Sequence, residues 1–595
     1  MLQKCIAILL LFTLKRVIWG QMIKKLKIVF ISLNIFTSLI VMADINDDIQ
    51  RKQAQDRQQL ELKKSLKERF KLKTKQQVMP RQEVKPYIAD LRKCINIKQI
   101  NTSKQNLIDT QLVNDFKQEH QGKCLGVEQI YQLIKKLQNI YQDNGFVSTK
   151  VGLSVPQTKL QQGILDISIK TGFTDSINFN SQIIDNTAFA KQLIFDDLID
   201  KPLNINDVNK RINHINRLNS HQVNFGIKPG KKPYYSEIVI DDNKQDYQPF
   251  SITLDNSGSK STGVDKIKLS ADWDDFLIPL SKWALNYSFP AHAEKDKKDS
   301  NAYTLDVSFP YRDYLFNYNA TKFDYDTSRV LTSGKTFYSF GSFGNATTKN
   351  FYLTKSLNKT NKQDNKIKLG LSLSDEKSYS KLRGVITKNE VGSRKLSVLS
   401  LGYEHSFQLS DKSTLYLNPS ISRGIDAFDA LNDDESGLDL KAQFSLFKFY
   451  GYYATPLELN KKRFNFMSSL SMQISEDELF AAQSFSIGGQ SSVRGFKDES
   501  IAAKSGFYIQ NSLSTNLNQW LGEANDNSQI TGTIFFDYGR VYPNSSDYQT
   551  LSGAGVSIEI KNKDIVVKLT AAKNLKKPNS INESSANYFE ISYKF

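Results

Sequence analysis

Histidine, cysteine and tryptophan are scarce in this chain: five, three and four in 595 residues. The histidines (His120, His214, His221, His292 and His405) sit in separate segments, and none stands at a metal-ligand spacing from another. No Gly-rich phosphate loop is present, and no serine elbow in a strand–turn–helix context. These absences exclude the common catalytic and cofactor sites, so the sequence predicts no enzymatic activity, no metal and no cofactor. Beyond residue 43 there is also no run of about 20 apolar residues, and the mean hydropathy is −0.44. That excludes a helical membrane protein. It does not exclude a membrane β-barrel, in which only alternate residues face lipid.

Acidic residues are outnumbered. Lys and Arg total 79 against 62 Asp and Glu, for a formal charge of +17 and a pI near 9.3. The lysines are scattered from end to end without a basic stripe, which reads as solvated loops and not as a nucleic-acid surface.

What is present begins with a leader. After Met22 come Lys24, Lys25 and Lys27, then a nearly continuous apolar run from Ile28 to Met42 ending in Val41-Met42-Ala43. Residues 1–43 therefore read as a signal-peptide region with cleavage after Ala43 and a translation start at Met22, and the mature chain is exported. Residues 44–86 are polar and charged. Leu62, Leu66 and Phe70 recur every four residues, giving a helix with a thin apolar stripe, and Pro80 and Pro86 mark a linker. The stripe is too narrow to build a core. It suits a solvent-exposed leader or a removable helix that docks inside another element.

From Tyr87 the composition becomes globular. Cys94 and Cys124 are the only cysteines after residue 43, and in an exported protein two cysteines within one small domain favour a disulfide over free thiols. Ile130, Leu133, Ile134, Leu137 and Tyr141 line one face of a helix over 127–141 that Gly145 stops. Two strands follow, the second carrying Leu165, Ile167 and Ile169 in alternation. A similar unit comes next: a helix over 205–218, a strand over 223–227, a turn at Pro229-Gly230 and a returning strand over 236–241. Residues 87–172 and 173–245 thus form an internal repeat of two small α/β modules with strand–helix–helix–strand–strand order.

From about residue 246 to Phe595 the pattern is short alternating runs. Leu399, Leu401 and Tyr403 alternate with Ser400, Gly402 and Glu404, and Phe589, Ile591, Tyr593 and Phe595 alternate with Glu590, Ser592 and Lys594. Tyr and Phe cluster near run ends, as an aromatic girdle requires. A helix-free stretch of this length is long for one sandwich. It accommodates roughly 16 antiparallel strands of a membrane barrel.

Two stretches stand out within it. In Thr533–Gly539, Ile534 and Phe536 fall on one strand face and Phe535, Asp537 and Gly539 on the other. With the first face toward lipid, Asp537 points inward, where a carboxylate needs a cation and hydrogen bonds. Arg494, in Ile487-Gly488-Gly489-Gln490-Ser491-Ser492-Val493-Arg494-Gly495-Phe496, offers both in a planar fork.

Taken together these segments resemble the haemolysin secretion/activation family of two-partner secretion transporters. Cys94, Cys124-Leu125, Tyr141, Gly145-Phe146 and Gly163-x-Leu165-x-Ile167 are similar to its first polypeptide-transport-associated (POTRA) domain. Leu203 to Leu218, Pro229-Gly230 and Ser236 are similar to the second, with Tyr235 standing where the family often has glycine. Leu254-Asp255-Asn256-Ser257-Gly258 followed by Ser261-Thr262-Gly263 resembles the first barrel strand, and the terminal Phe595 resembles the outer-membrane insertion signal. Val493-Arg494-Gly495-Phe496 and Phe535-x-Asp537-x-Gly539 resemble the motifs of a loop that folds into the lumen.

The resemblance implies an Arg494–Asp537 lumenal lock and an N-terminal helix that plugs the pore. It implies periplasmic POTRA domains that recognise a large unfolded exoprotein (haemolysin, adhesin or contact-dependent toxin), which crosses the outer membrane through the barrel without ATP. Outer-membrane lipid and the barrel-assembly machinery are the other implied partners. Two other readings remain open. A barrel-assembly factor of the same superfamily usually carries three or more POTRA modules, and residues 87–245 leave room for two. A passive porin or adhesin barrel needs neither the modules nor the Arg494–Asp537 pair.

Overall fold

The structure is a computed structural model. It describes residues 94–595 apart from 104–105, 182–186, 261–262, 292–298, 334–335, 361–362, 383–389, 410–411, 435–438, 522–527 and 545. The leader expected at 1–43 and the helix and linker expected at 44–86 lie outside the described residues.

The first module contains β1 (Ile95–Asn96), β2 (Gln99–Thr102), α1 (Thr110–His120), β3 (Cys124–Leu125), α2 (Val127–Asp143), β4 (Lys150–Leu153) and β5 (Ile164–Lys170). The apolar stripe Ile130, Leu133, Leu137 and Tyr141 of α2 packs on Leu165, Ile167 and Ile169 of β5. That burial, not intrinsic propensity, stabilises a helix of this length. The sheet order is β2-β5-β4, with β2 and β5 parallel. Asp109 caps α1 by accepting the Gln111 N–H at 2.9 Å. A disulfide joins Cys94 to Cys124, fastening the start of the module to β3.

The second module repeats this plan with β6 (Phe173–Ser181), α3 (Thr187–Ile194), α4 (Ile205–Asn216), β7 (His221–Pro229) and β8 (Tyr235–Lys244), in the order β6-β8-β7. Val208, Ile212 and Ile215 of α4 close over Ile238 and Ile240 of β8. In the β7–β8 turn the left-handed residue is Tyr234, at φ 64°. Tyr235 itself takes a strand position, accepts the Gly230 N–H through its carbonyl and stacks on Phe173.

The chain then forms β9 (Phe250–Asp255), β10 (Lys266–Asp274), β11 (Lys282–Pro290), β12 (Asp299–Tyr311), β13 (Tyr314–Ser333), β14 (Thr336–Lys359), β15 (Gln363–Leu382), β16 (Glu390–Gln408), β17 (Thr414–Ile425), β18 (Ser445–Leu459) and β19 (Lys462–Ile474). A long connection holds the short hairpin β20 (Phe485–Ile487) and β21 (Ile501–Ala503). The rest are β22 (Ser505–Asn516), β23 (Ser528–Tyr542), β24 (Gln549–Asn562), β25 (Ile565–Lys576) and β26 (Ser585–Lys594). All except β20 and β21 join one closed antiparallel barrel of sixteen strands, sealed where β26 pairs with β9.

Alternation sets the two faces. Leu399, Leu401 and Tyr403 of β16 are exposed on the outside, while Glu404 and Ser406 are buried within. Among the described residues no helix is long and apolar enough to cross a membrane. The first barrel strand differs from the stretch expected at Leu254–Gly258: it starts at Phe250 and ends at Asp255. The Asp255 carboxylate accepts the Ser257 N–H at 2.8 Å and meets Lys268 Nζ at 2.7 Å, which turns the chain out of the sheet.

Candidate functional site

The connection 475–504 carries a set of apolar residues, and its position follows from where they can be buried. Phe485, Ile487, Val493, Phe496, Ile501 and Ala503 cluster with Tyr508, Val541 and Leu551, which point inward from β22, β23 and β24. The loop therefore folds into the barrel instead of standing in solvent. Gly495 makes the tight reversal at φ 110°, and Phe496 beyond it is fully buried.

This fold brings Arg494 to Asp537. The guanidinium Nε and Nη2 donate to Asp537 Oδ2 and Oδ1 at 2.7 and 2.6 Å, and the Arg494 backbone N–H adds a third bond to Oδ2 at 3.0 Å. Asp537 is fully buried, and the Arg494 side chain is 15% exposed. The guanidinium also lies 3.6 Å from the centroid of the Phe535 ring and donates to Ser512 Oγ at 3.3 Å. Phe535 and Asp537 can both reach it because they share the inward face, while Ile534 and Phe536 are exposed outside. Gly539 completes that face. A Cβ there would come within 2.9 Å of Val493 Cγ2, so any larger residue would push the Val493 side chain away from the strand. Gly553 on β24 belongs to neither motif, yet a Cβ there would stand 1.8 Å from the Arg494 carbonyl oxygen.

The other residues singled out in the sequence lie elsewhere. Cys94 and Cys124 are in the first module, and Phe595 is at the barrel seam. There it exchanges two backbone hydrogen bonds with Phe250 and stacks on its ring.

One cluster was not legible in the sequence. His221, the first residue of β7, is buried where the second module meets the barrel. Its Nδ1 is 2.8 Å from Asp242 of β8, and its Nε2 is 2.6 Å from Asp275 in the β10–β11 turn. Burial alone would lower the imidazole pKa, but hydrogen bonds and charge from the two carboxylates outweigh it and push it up to about 9. At neutral pH the ring is thus an imidazolium donating to both. Around it the Asn219 and Ser220 N–H groups donate to Asp274 at 2.6 and 2.8 Å, and Arg217 donates to the Leu280 carbonyl at 2.7 Å and to Ser308. Arg211 spans Asp197 at 2.9 Å and Asp313 at 3.6 Å. Leu280 inserts into the core of the second module. His221 and Asp275 are 54 positions apart, so local spacing carries no sign of the contact.

Comparison with known proteins follows the same geometry. Residues 95–172 match the POTRA domain, ShlB-type. The outer membrane transporter CdiB of Dickeya dadantii is 26% identical over 477 residues, covering 78% of this chain and 80% of that protein. The hemolysin transporter protein ShlB of Serratia marcescens is 26% identical over 447 residues, covering 73% and 74%. Among solved structures, CdiB from Escherichia coli superposes with a TM-score of 0.78 at 22% identity, covering 92% of this chain and 98% of that one. CdiB from Acinetobacter baumannii gives 0.71 at 19% identity, covering 92% and 99%. The barrel lies in the outer membrane, with the POTRA modules on the periplasmic side. Residues 234–561, more than half of the chain, match the haemolysin secretion/activation protein family ShlB/FhaC/HecB, and the chain belongs to that family.

Proposed function

We propose that this chain is the outer-membrane translocator of a two-partner secretion system. Its POTRA modules capture a large unfolded exoprotein of haemolysin, adhesin or contact-dependent toxin type. Strand addition at an exposed sheet edge, such as β4 of the first module, is the natural mode, because backbone hydrogen bonds accept many sequences. The exoprotein then crosses the barrel without ATP, and no catalytic step or cofactor enters. The barrel-assembly machinery inserts the chain, with Phe595 as its terminal signal.

The observation that carries this reading is the loop 475–504 held inside the lumen by Arg494 and Asp537. A translocating chain needs the space the loop fills, so the pair acts as a lock that holds the resting arrangement and must yield during passage. Deleting residues 87–242 tests the reading. The remaining barrel should reach the outer membrane, while the exoprotein accumulates in the periplasm. Undiminished secretion by the deletion would remove the recognition role of the modules.

A further inference from the structure

We infer that Glu583 and Glu499 form a second restraint on the lumenal loop, tying its tip to the last β-hairpin; the inference rests on the reading that this loop must move during passage. β9 starts at the second module and successive strands alternate in direction. The 475–504 loop and the β25–β26 connection at 577–584 therefore share the end of the barrel remote from the modules.

There Glu583 Oε2 accepts three consecutive backbone N–H groups of the loop, from Lys497, Asp498 and Glu499, at 2.9, 3.1 and 3.3 Å. Glu499 answers from the other side. Its Oε2 accepts the N–H groups of Asn582 and Glu583 at 2.7 and 2.8 Å. Two carboxylates side by side repel unless their charge is met. Here each is met by backbone dipoles of the opposite loop, the arrangement of an anion-binding nest.

Neighbouring contacts extend the grip. Tyr588 of β26 donates its hydroxyl proton to the Phe496 carbonyl at 2.8 Å, and Ile581 joins the apolar cluster of the loop. Arg494 thus binds β23, while residues 496–499 bind the β25–β26 hairpin. Because β26 closes the barrel against β9, the outer restraint couples the loop to the closing seam. Glu583 and Glu499 are positioning residues: Glu583 acts through the loop backbone and Glu499 through the backbone of the hairpin.

The test uses the full chain in intact cells, with external trypsin cutting after Lys497 as the report on the loop tip. Heat-modifiable migration reports the folded barrel, and exoprotein in the medium reports secretion. Glu583→Ala loses three such bonds and Glu499→Ala two, so each should raise the cleavage rate by at least roughly tenfold, already the scale of one lost charge-assisted hydrogen bond. Glu583→Gln, which keeps one acceptor oxygen without the charge, should fall between. If both alanine variants fold and are cut no faster than the unaltered chain, the restraint does not exist. If Glu583→Ala fails to fold, the same comparison on Glu583→Gln and Glu499→Ala decides. Faster cleavage with unchanged secretion upholds the restraint and overturns the reading that the loop gates passage.

Discussion

Arg494 meets Asp537 with its backbone as well as its side chain: the main-chain N–H at 3.0 Å joins the two guanidinium bonds at 2.7 and 2.6 Å. The two partners therefore do not lose the same contacts when truncated. Arg494→Ala keeps the backbone bond but leaves a fully buried carboxylate without its cation, a cost on the order of 3–5 kcal/mol. Asp537→Ala removes all three bonds, although the partly exposed guanidinium can still reach water. Either change should cripple secretion with the barrel folded in the membrane. Arg494→Lys should rescue only in part, because an ammonium cannot span both oxygens or lie flat on Phe535. The check is a double-mutant cycle read as secreted exoprotein. Additive losses would mean that the contact carries no functional coupling.

The strand face of Asp537 was readable because a β-strand has a period of two, and one glance at Ile534 and Phe536 assigns Phe535, Asp537 and Gly539 to the lumen. The helices α2 and α4 were readable for the corresponding reason at a period of 3.6, whereas α1 and α3 were not placed. Contacts made by loops carry no such period. Gly553 and Glu583 belong to no motif, and their roles arise only when the 475–504 loop is laid against them. The His221 cluster was hidden for a further reason. Counting histidines for metal or catalytic spacing passes over a histidine whose partners are two aspartates, one on the next strand and one in a barrel turn. The end of β9 also escaped, since Asn256 and Ser257 read as further strand residues until the Asp255 carboxylate accepts the Ser257 N–H.

The joint between the second module and the barrel should respond to alkaline pH. His221 has its pKa raised to about 9, above the roughly 6.5 of a free imidazole. A raised folded-state value means the charged ring's contribution is complete below about 6.5 and is lost as pH climbs through about 9. Above that, the neutral ring can donate to only one of Asp242 and Asp275. Amide exchange in β7 and in the 275–281 turn should accelerate between pH 8 and 10 by more than the intrinsic chemical rate. His221→Gln should abolish the excess. Protection that falls equally in the variant and the unaltered protein would assign the effect to other groups.

The first module is small and carries one disulfide. Cys94 and Cys124 are separated by 30 residues, and closing a loop of that size removes unfolded-state entropy worth about 3–4 kcal/mol. In protein taken from the periplasmic side, denatured without reductant, a maleimide should label neither cysteine. The Cys94→Ser variant should lower the denaturant midpoint of an isolated 87–172 fragment and raise its m-value, because the unfolded chain without the cross-link exposes more surface. Full labelling of both cysteines would show that the bond does not form.

Phe595 closes the seam by two separable means. Its backbone exchanges hydrogen bonds with Phe250 at 3.1 and 3.0 Å, and its ring stacks on Phe250 and Tyr593 with centroids 5.8 and 5.7 Å apart. β9 is a six-residue strand and offers β26 few pairs, so this extra pair forms a substantial part of the closure. Phe595→Ala keeps the backbone bonds and loses ring contacts worth about 0.5–1.5 kcal/mol per aromatic pair. Removing Phe595 altogether also forfeits two hydrogen bonds, at about 1 kcal/mol each. The fraction of heat-modifiable barrel in the outer membrane should therefore fall in the order unaltered, Phe595→Ala, deletion. If the alanine variant assembles as poorly as the deletion, the ring itself is what assembly reads, and the backbone pair contributes little to closure.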